Sequence, residues 1–568
     1  MTAPGGARRT AAERIGSDPM QWAPALAAAV AILVYINALR NGFVLDDEGV
    51  IVHNPLVHGA SGIWRAFAAP YWPGGSGQYR PFVIASFAGE WSIGGGSPAL
   101  FHALNLAWHA AATVLVYRLA RAMLSPGASL IAALVFAAHP VHVEAVANVV
   151  GRSELVAACG VLAALVLHRR RSAWAAFAFA VALLAKENAI VLPALALAAD
   201  VLLREPRDKT PFPYALYGAY AGVIAAWTIT IAVVFRHAAF APPAPFWIGT
   251  SVGDRALTMA GVVPVWMRLW FFPLDLSADY SPRLTAAWPD NAPLAALGAA
   301  LAVVGVASVL VLHSRSRRAT FAIVWMAIAV LPVSNVLLPT GLIVAERTLY
   351  LSSAGAVLLI ACCVEWLGAK RFAAGVAAGV VVIAAGAART WTRTPVWQSN
   401  RALFLDAAQR HPEGAWTHAA LARVYAGNGG FDQALAEYRR SIALFDRDPV
   451  PWSEAIYSAV NGGKLADADS LVVAAEQRLP RSYNVLMAHA FAAFRSSRFT
   501  ETLDAARRAQ AAAPDSATPQ VFKALAWSGI GVPDSVRAAL AGFPAAHALR
   551  PTVDSLLRSL PPPVSPDR

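Results

Sequence analysis

The stretch "WAPALAAAVAILVYINALRNGFVLDDEGVIVHNP", residues 22–55, opens with an apolar run (22–39) and soon reaches three acids, Asp46, Asp47 and Glu48. The run has about the length a helix needs to cross the hydrocarbon of a bilayer. Acids at its end are costly unless they meet water, a cation or a substrate. This juxtaposition marks a membrane protein with chemistry at one boundary.

Composition agrees. The 568 residues are 57% hydrophobic and 14% charged, with a mean hydropathy of +0.50. A soluble domain usually carries about 25% charge. Residues 1–395 hold 28 of the 46 Lys and Arg and 18 of the 34 acids, net +10; residues 396–568 are net +2. The basic excess belongs to the membrane part, where topology explains it without nucleic acid. Cys159, Cys362 and Cys363 lie in apolar runs and have no disulfide or metal-ligand spacing. The first apolar run lacks a small-residue cleavage site, so it reads as an anchor.

Outward from the first run, eleven apolar stretches read as spans: 22–39, 101–122, 128–146, 153–168, 173–186, 188–203, 213–235, 291–312, 319–339, 348–368 and 371–389. With the N-terminus inside, six basic intervals face the cytoplasm: Arg8/Arg9/Arg14, Arg118/Arg121, "HRRR" 168–171, "REPRDK" 204–209, "RSRR" 315–318 and "KR" 370–371. Most acids fall on the other side. The segment 256–277 is apolar but carries Arg268 centrally. It reads as a re-entrant or interfacial amphipathic helix. Residues from 390 onward are then extracytoplasmic.

The tail changes character. "ALARVYAGNGGFDQALAEYRRSIALFDRDP", 420–449, places Leu421, Ala422, Tyr425, Ala434 and Tyr438 in the small/large alternation of a tetratricopeptide helix pair, with a helix end near Pro449. Looser copies follow at 450–480 and 483–514, marked by Ala455, Ala468, Ala475, Ala490, Ala506 and Ala509, and a degenerate one at 517–550 forms a cap. The expected fold is all-α: a tail 1–21, a polytopic domain 22–395 whose first extracytoplasmic loop is 40–100, a repeat solenoid 396–550 and a tail 551–568 with a frayed end. Such a solenoid offers a groove for a polypeptide; a plain helical spacer is the bland alternative.

Three constellations carry chemistry. Asp46 and Asp47 precede Asn54 and a long loop rich in Trp, Tyr and Phe. A carboxylate there serves as general base on an acceptor hydroxyl or holds a divalent cation, Mg2+ or Mn2+, on a phosphate; a solvated helix end is the bland reading. "HPVHVEAVANVVGRSE", 139–154, gathers His139, His142, Glu144, Arg152 and Glu154. Its spacing hints at zinc, but Pro140 interrupts the helix and no H-E-x-x-H is present, so a polar cavity lining is the better reading. "YRP" 79–81, "FHALNLAWH" 101–109, "AKEN" 185–188 and "AERTLY" 345–350 add Tyr79, His102, Asn105, Glu187, Glu346 and Tyr350, and three cations, Arg80, Lys186 and Arg347, on one side of the membrane. Convergent cations suit a phosphate; snorkelling explains any one of them, but poorly all three. A lipid-linked sugar phosphate fits: phosphate on the cations, sugar near Asp46 and Asp47, and inversion at the anomeric carbon.

The motifs "DDEGVIVHNPLV", "YRPF", "FHALNLAWHA", "FAAHPVHVEAVANVVGRSE", "LLAKENAI" and "AERTLYLSS", followed by repeats, resemble the transmembrane and tetratricopeptide-repeat-containing O-mannosyltransferases and bacterial membrane proteins of the same build. The resemblance runs from 22 to about 550. It implies a GT-C glycosyltransferase using a polyprenyl- or dolichyl-phosphate sugar, with Asp46 or Asp47 as the catalytic carboxylate, Asp46 first. Eukaryotic members add mannose to Ser or Thr of proteins. The Ala- and Arg-rich composition points to a high-GC bacterium, hence to an undecaprenyl-type carrier, an inner-membrane location and a periplasmic repeat domain. The expected partners are the lipid-linked sugar and a polypeptide or envelope-glycan acceptor. The competing function is a non-enzymatic anchored scaffold for envelope assembly. A transporter is disfavoured because no matched, Gly/Pro-interrupted halves are present.

Overall fold

A computed structural model of the chain describes residues 20–73, 77–204, 210–236, 244–280, 287–336, 338–545 and 547–561. The basic residues Arg8, Arg9 and Arg14, most of 204–209 and the end of the tail fall outside these. Every regular element among the described residues is helical. The chain divides into two compact units, one of residues 1–243, 250–278 and 287–403, the other of 244–249, 279–286 and 404–568.

Among the described residues the first unit contains seven helices long and apolar enough to cross a membrane: Ala23–Arg40, Pro98–Ala120, Val149–Arg169, Tyr214–Val234, Ala292–Arg315, Glu346–Lys370 and Phe372–Gln398. An eighth candidate is the pair Pro126–Ala137 and Pro140–Ala147, bent by 45°. Pro140, which has no N–H to give, sits at the break. Val149–Arg169 is mostly enclosed by its neighbours, whereas Ala292–Arg315 is almost bare. Val303 and Leu310 are 67% and 72% exposed, an arrangement suited to lipid rather than water. Close approach comes from small residues: a Cβ at Gly160 would stand 2.8 Å from the carbonyl oxygen of Ala178, so 152–169 and 174–185 meet backbone to backbone.

The eleven expected spans are thus not eleven long helices. Stretches 173–186 and 188–203 become Trp174–Ala185 and Leu192–Leu202, of 12 and 11 residues. The break between them is Lys186, whose backbone is extended at φ −160°, ψ 137°. The stretch 319–339 becomes Arg317–Val330, 14 residues. The segment 256–277 lies across two nine-residue helices, Val252–Ala260 and Val263–Phe271, each too short to span. Arg268, the residue that argued against a span there, stands 3.4 Å from Asp275.

The second unit stacks helical hairpins. Their first helices, Ala415–Gly427, Pro449–Asn461, Tyr483–Arg495 and Thr518–Ile530, start 34, 34 and 35 residues apart. Ala422, Ala434, Tyr438, Ala455, Ala468 and Ala475 form one continuous core; Ala490, Ala506 and Ala509 are also buried. Two boundaries differ from expectation. Pro449 opens a helix rather than ending one, because Pro at the first helical position forfeits only an N–H that had no partner. The tail 551–568 is not all loose: Arg550–Arg558 is a helix, and Val553 packs with Val521 and Leu540.

Candidate functional site

The acidic loop turns sharply. Leu45 adopts a left-handed backbone, φ 53°, and the two carboxylates that follow it take different surroundings. Asp47 is fully buried. Its carboxylate accepts from the amides of Val44 at 3.0 Å, Val149 at 3.4 Å and Val150 at 2.8 Å. Burial pushes its carboxyl up to about 7, against the pull of these three amides. Asp46 points outward, with 37% of its side chain exposed, 3.4 Å from the Arg347 guanidinium.

From Asp46 a chain of ion pairs extends. Arg347 also meets Glu144 at 3.2 Å, and its backbone amide donates to the same carboxylate at 2.9 Å. Lys186 pairs with Glu154. Arg80 holds Glu187 through two bonds, of 2.5 and 3.0 Å, and lies 5.0 Å from the Tyr71 ring centroid. The pairs sense one another: Arg347 interacts with Glu154 and Arg80, and Lys186 with Arg80, Glu187 and Arg347. Burial works to raise the Glu187 carboxyl, but Arg80 and Lys186 outweigh it and hold it at about 2. The three expected cations therefore do converge. None of them snorkels; each is buried or half-buried against a carboxylate.

The convergence has a simple origin. Arg80 precedes Pro81–Gly94, Glu144 opens the short helix after the Pro140 bend, and Glu154 lies in the first turn of Arg152–Arg169. Lys186 ends Trp174–Ala185, and Arg347 precedes Tyr350–Lys370. All sit at one end of the bundle, where chain breaks leave room for charge.

Other expected site residues are used differently. Arg152 is sealed against Glu90, donates to Asn105 Oδ1 and the Phe101 carbonyl at 2.8 Å, and covers the Phe87 ring. Asn105 Nδ2 donates to the carbonyls of Val146, Asn148 and Val149. The two thus support the turn whose amides hold Asp47. His102 meets the Gly42 carbonyl at 3.4 Å. Asn54 accepts from Leu56 N, Tyr79 donates to the Phe67 carbonyl, and Ser277 N donates to buried Glu346 at 2.6 Å.

His139 and His142 do not join Glu144. His139 meets the Trp270 carbonyl at 3.0 Å, and His142 meets Ser353 Oγ at 2.7 Å within a packed group of His109, Phe136 and Tyr350. Tyr350 hydrogen-bonds His109 Nδ1 at 2.8 Å. Among the described residues no three His, Cys, Asp or Glu are grouped to hold a metal. Arg347 already fills the space between Asp46 and Glu144, so a Mg2+ or Mn2+ ion does not fit that pair as it stands.

Sequence reasoning misses Tyr71 and the role of Glu154. Glu154 was legible, since Lys186 so close to a span needs a counter-ion; Tyr71, inside a loop, had no signal. Also missed is a lacing of the acidic loop. Asn37 Nδ2 donates to the Trp391 carbonyl, Asn41 Nδ2 to Thr394, and Gly42 N to Gln398, at 2.9, 3.2 and 3.1 Å. Asn400 Oδ1 then accepts from Leu45 N, and Asn400 Nδ2 donates to Glu48, both at 2.8 Å.

Protein O-mannosyl-transferase F38B6.6 of Caenorhabditis elegans is 28% identical over 440 residues, 73% of this chain and 61% of that protein. Human protein O-mannosyl-transferases TMTC3 and TMTC1 are each 26% identical, over 72% and 78% of this chain and 50% and 57% of theirs. The chain is similar to protein O-mannosyl-transferases. It spans half to three-fifths of the length of these relatives. No family model matches. The solved Cut9–Hcn1 tetramer aligns over 84% of the chain, but with a TM-score of 0.25 at 13% identity, too low to transfer a fold.

Proposed function

We propose that the chain is a GT-C-type membrane glycosyltransferase. It moves a sugar from a polyprenyl-phosphate donor to a hydroxyl of a protein acceptor on the extracytoplasmic side, with inversion. The observation that carries this reading is Asp46, a half-exposed carboxylate beside Arg347 at the rim of a buried cluster of cations. The similarity to protein O-mannosyl-transferases supports the reaction class.

In this mechanism the acceptor hydroxyl gives its proton to Asp46 as its oxygen bonds to the anomeric carbon. The bond from that carbon to the phosphate oxygen breaks on the opposite face, and its electron pair leaves with the polyprenyl phosphate. Arg347, Lys186 and Arg80 stabilise the departing negative charge. Each already has a carboxylate partner, but an Arg has five N–H donors and a Lys three, so donors remain for phosphate oxygens. Asp47 serves as a positioning residue, fixing the turn that presents Asp46. The bundle sits in a bacterial inner membrane with an undecaprenyl-type carrier, and the periplasmic repeats hold the acceptor.

The test uses membranes containing the full chain, supplied with labelled polyprenyl-phosphate mannose and envelope protein. Asp46→Asn is expected to lower transfer by about 10²- to 10⁴-fold, the range for loss of a general base. Transfer unchanged in Asp46→Asn would reject the mechanism and favour the scaffold.

A further inference from the structure

The helices that bring Arg152, Glu154 and Asn105 to the candidate site end, at the far side of the bundle, around a different feature. A cavity of about 470 Å³ lies between the last turns of Pro98–Ala120 and Arg152–Arg169. Among the described residues its lining includes Arg118, Arg121, Arg169, Arg170 and Tyr117, and no acid.

Two ordinary explanations for such arginines exist. Cations gather at the cytoplasmic ends of spans, and they complement helix C-termini. Neither accounts for the whole arrangement. The buried cations Arg80, Arg152, Lys186 and Arg347 each hold a carboxylate, and so does the exposed Arg318, with Glu365 at 2.8 Å. Arg118, Arg169 and Arg170 form no salt bridge among the described residues. The nearby acid Asp200 acts on Arg169 from a distance but is bound by His168 at 3.0 Å and by Tyr217 at 2.9 Å.

We infer that this cavity is a binding site for the phosphate headgroup of an anionic phospholipid. The phosphate oxygens take up arginine N–H groups, which match phosphate in fixed fork geometry. The depth suits a lipid: both helices are membrane-spanning candidates that end here, so the cavity lies where headgroups lie. Its volume falls within the range of small-ligand pockets.

The test is native mass spectrometry of the full chain in detergent, titrated separately with dioleoylphosphatidylglycerol, dioleoylphosphatidylcholine and inorganic phosphate. One phosphatidylglycerol is expected to be retained in preference to phosphatidylcholine. Arg118→Gln and Arg170→Gln are each expected to weaken it about fivefold, the worth of one basic residue at a lipid surface. The double variant R118K/R170K, which keeps the charge, is expected to retain most of it. Equal retention of both lipids, or binding unmoved by the Gln variants, overturns the inference. Phosphate competing fully with phosphatidylglycerol at equal concentration overturns its lipid part and assigns the site to a free phosphate.

Discussion

The guanidinium of Arg347 stands 3.4 Å from the carboxylate of Asp46, and on its other side 3.2 Å from that of Glu144. Asp46 is half open to its surroundings, while Glu144 is sealed. Removing the arginine therefore strands one buried charge. Arg347→Ala is expected to cost about 3–5 kcal/mol, the usual effect of breaking a buried pair. The double change R347A/E144Q should recover most of it. Thermal unfolding of the two variants in detergent checks this; equal losses would show that Glu144 does not depend on Arg347.

Asp47 and Asp46 should part company when amidated. Asp46→Asn is expected to leave unfolding unchanged and to lower transfer by about 10²- to 10⁴-fold. Asp47→Asn puts an amide where three backbone N–H groups need an acceptor. It should lower stability by about 1–3 kcal/mol and reduce transfer only as far as the turn loosens.

The Asp47 carboxyl also makes stability depend on pH. Its folded value is raised to about 7 by burial, above the ordinary value of about 3.9 for an unfolded chain. Between these values the folded state binds the extra proton. The contribution of Asp47 is thus fully present below about pH 4, is lost as pH rises through 7, and is flat beyond. The unfolding midpoint measured from pH 4 to 8 should lose that component of its slope in Asp47→Asn.

Asn400 latches the acidic loop by two bonds, to Leu45 N and to Glu48. Asn400→Ala should cost about 1 kcal/mol and speed amide exchange at Leu45. It should also lower kcat for transfer more than it raises KM for the donor. Asn400→Asp opposes Glu48 with like charge, and N400D/E48Q restores a donor–acceptor pair. Recovery of exchange protection in that double variant is the expected result.

The repeats offer a stabilising change. Gly429, Gly463 and Gly531 end first helices in left-handed conformation, and the third repeat places Ser497 there, with φ 57°. These four positions recur every 34 residues. A side chain in that region is strained by about 1 kcal/mol, so Ser497→Gly should raise the unfolding midpoint of the repeat unit. A lowered midpoint would contradict the strain.

Much of this was legible in the chain. The long apolar runs and the Ala/Tyr spacing of the repeats specify helices, because a span must satisfy its own backbone and a repeat must bury small residues at a fixed period. The identity of the charged residues near chain breaks was legible too, since Arg80, Lys186, Glu187 and Arg347 all interrupt apolar sequence. Segment ends were less so. The break after 186 is legible, but the helices on either side, Trp174–Ala185 and Leu192–Leu202, are shorter than the apolar stretches 173–186 and 188–203.

What the sequence by itself determined is therefore a helical membrane chain with repeats and acids and cations at one boundary. Which acid faces outward, which cation each carboxylate takes, and that the two histidines of 139–142 pack away from Glu144 were decided only by tertiary structure. The reason is physical. Asp46 and Asp47 are identical neighbours, and only the amides of Val149 and Val150, about a hundred residues away, draw one of them inward and leave the other beside Arg347.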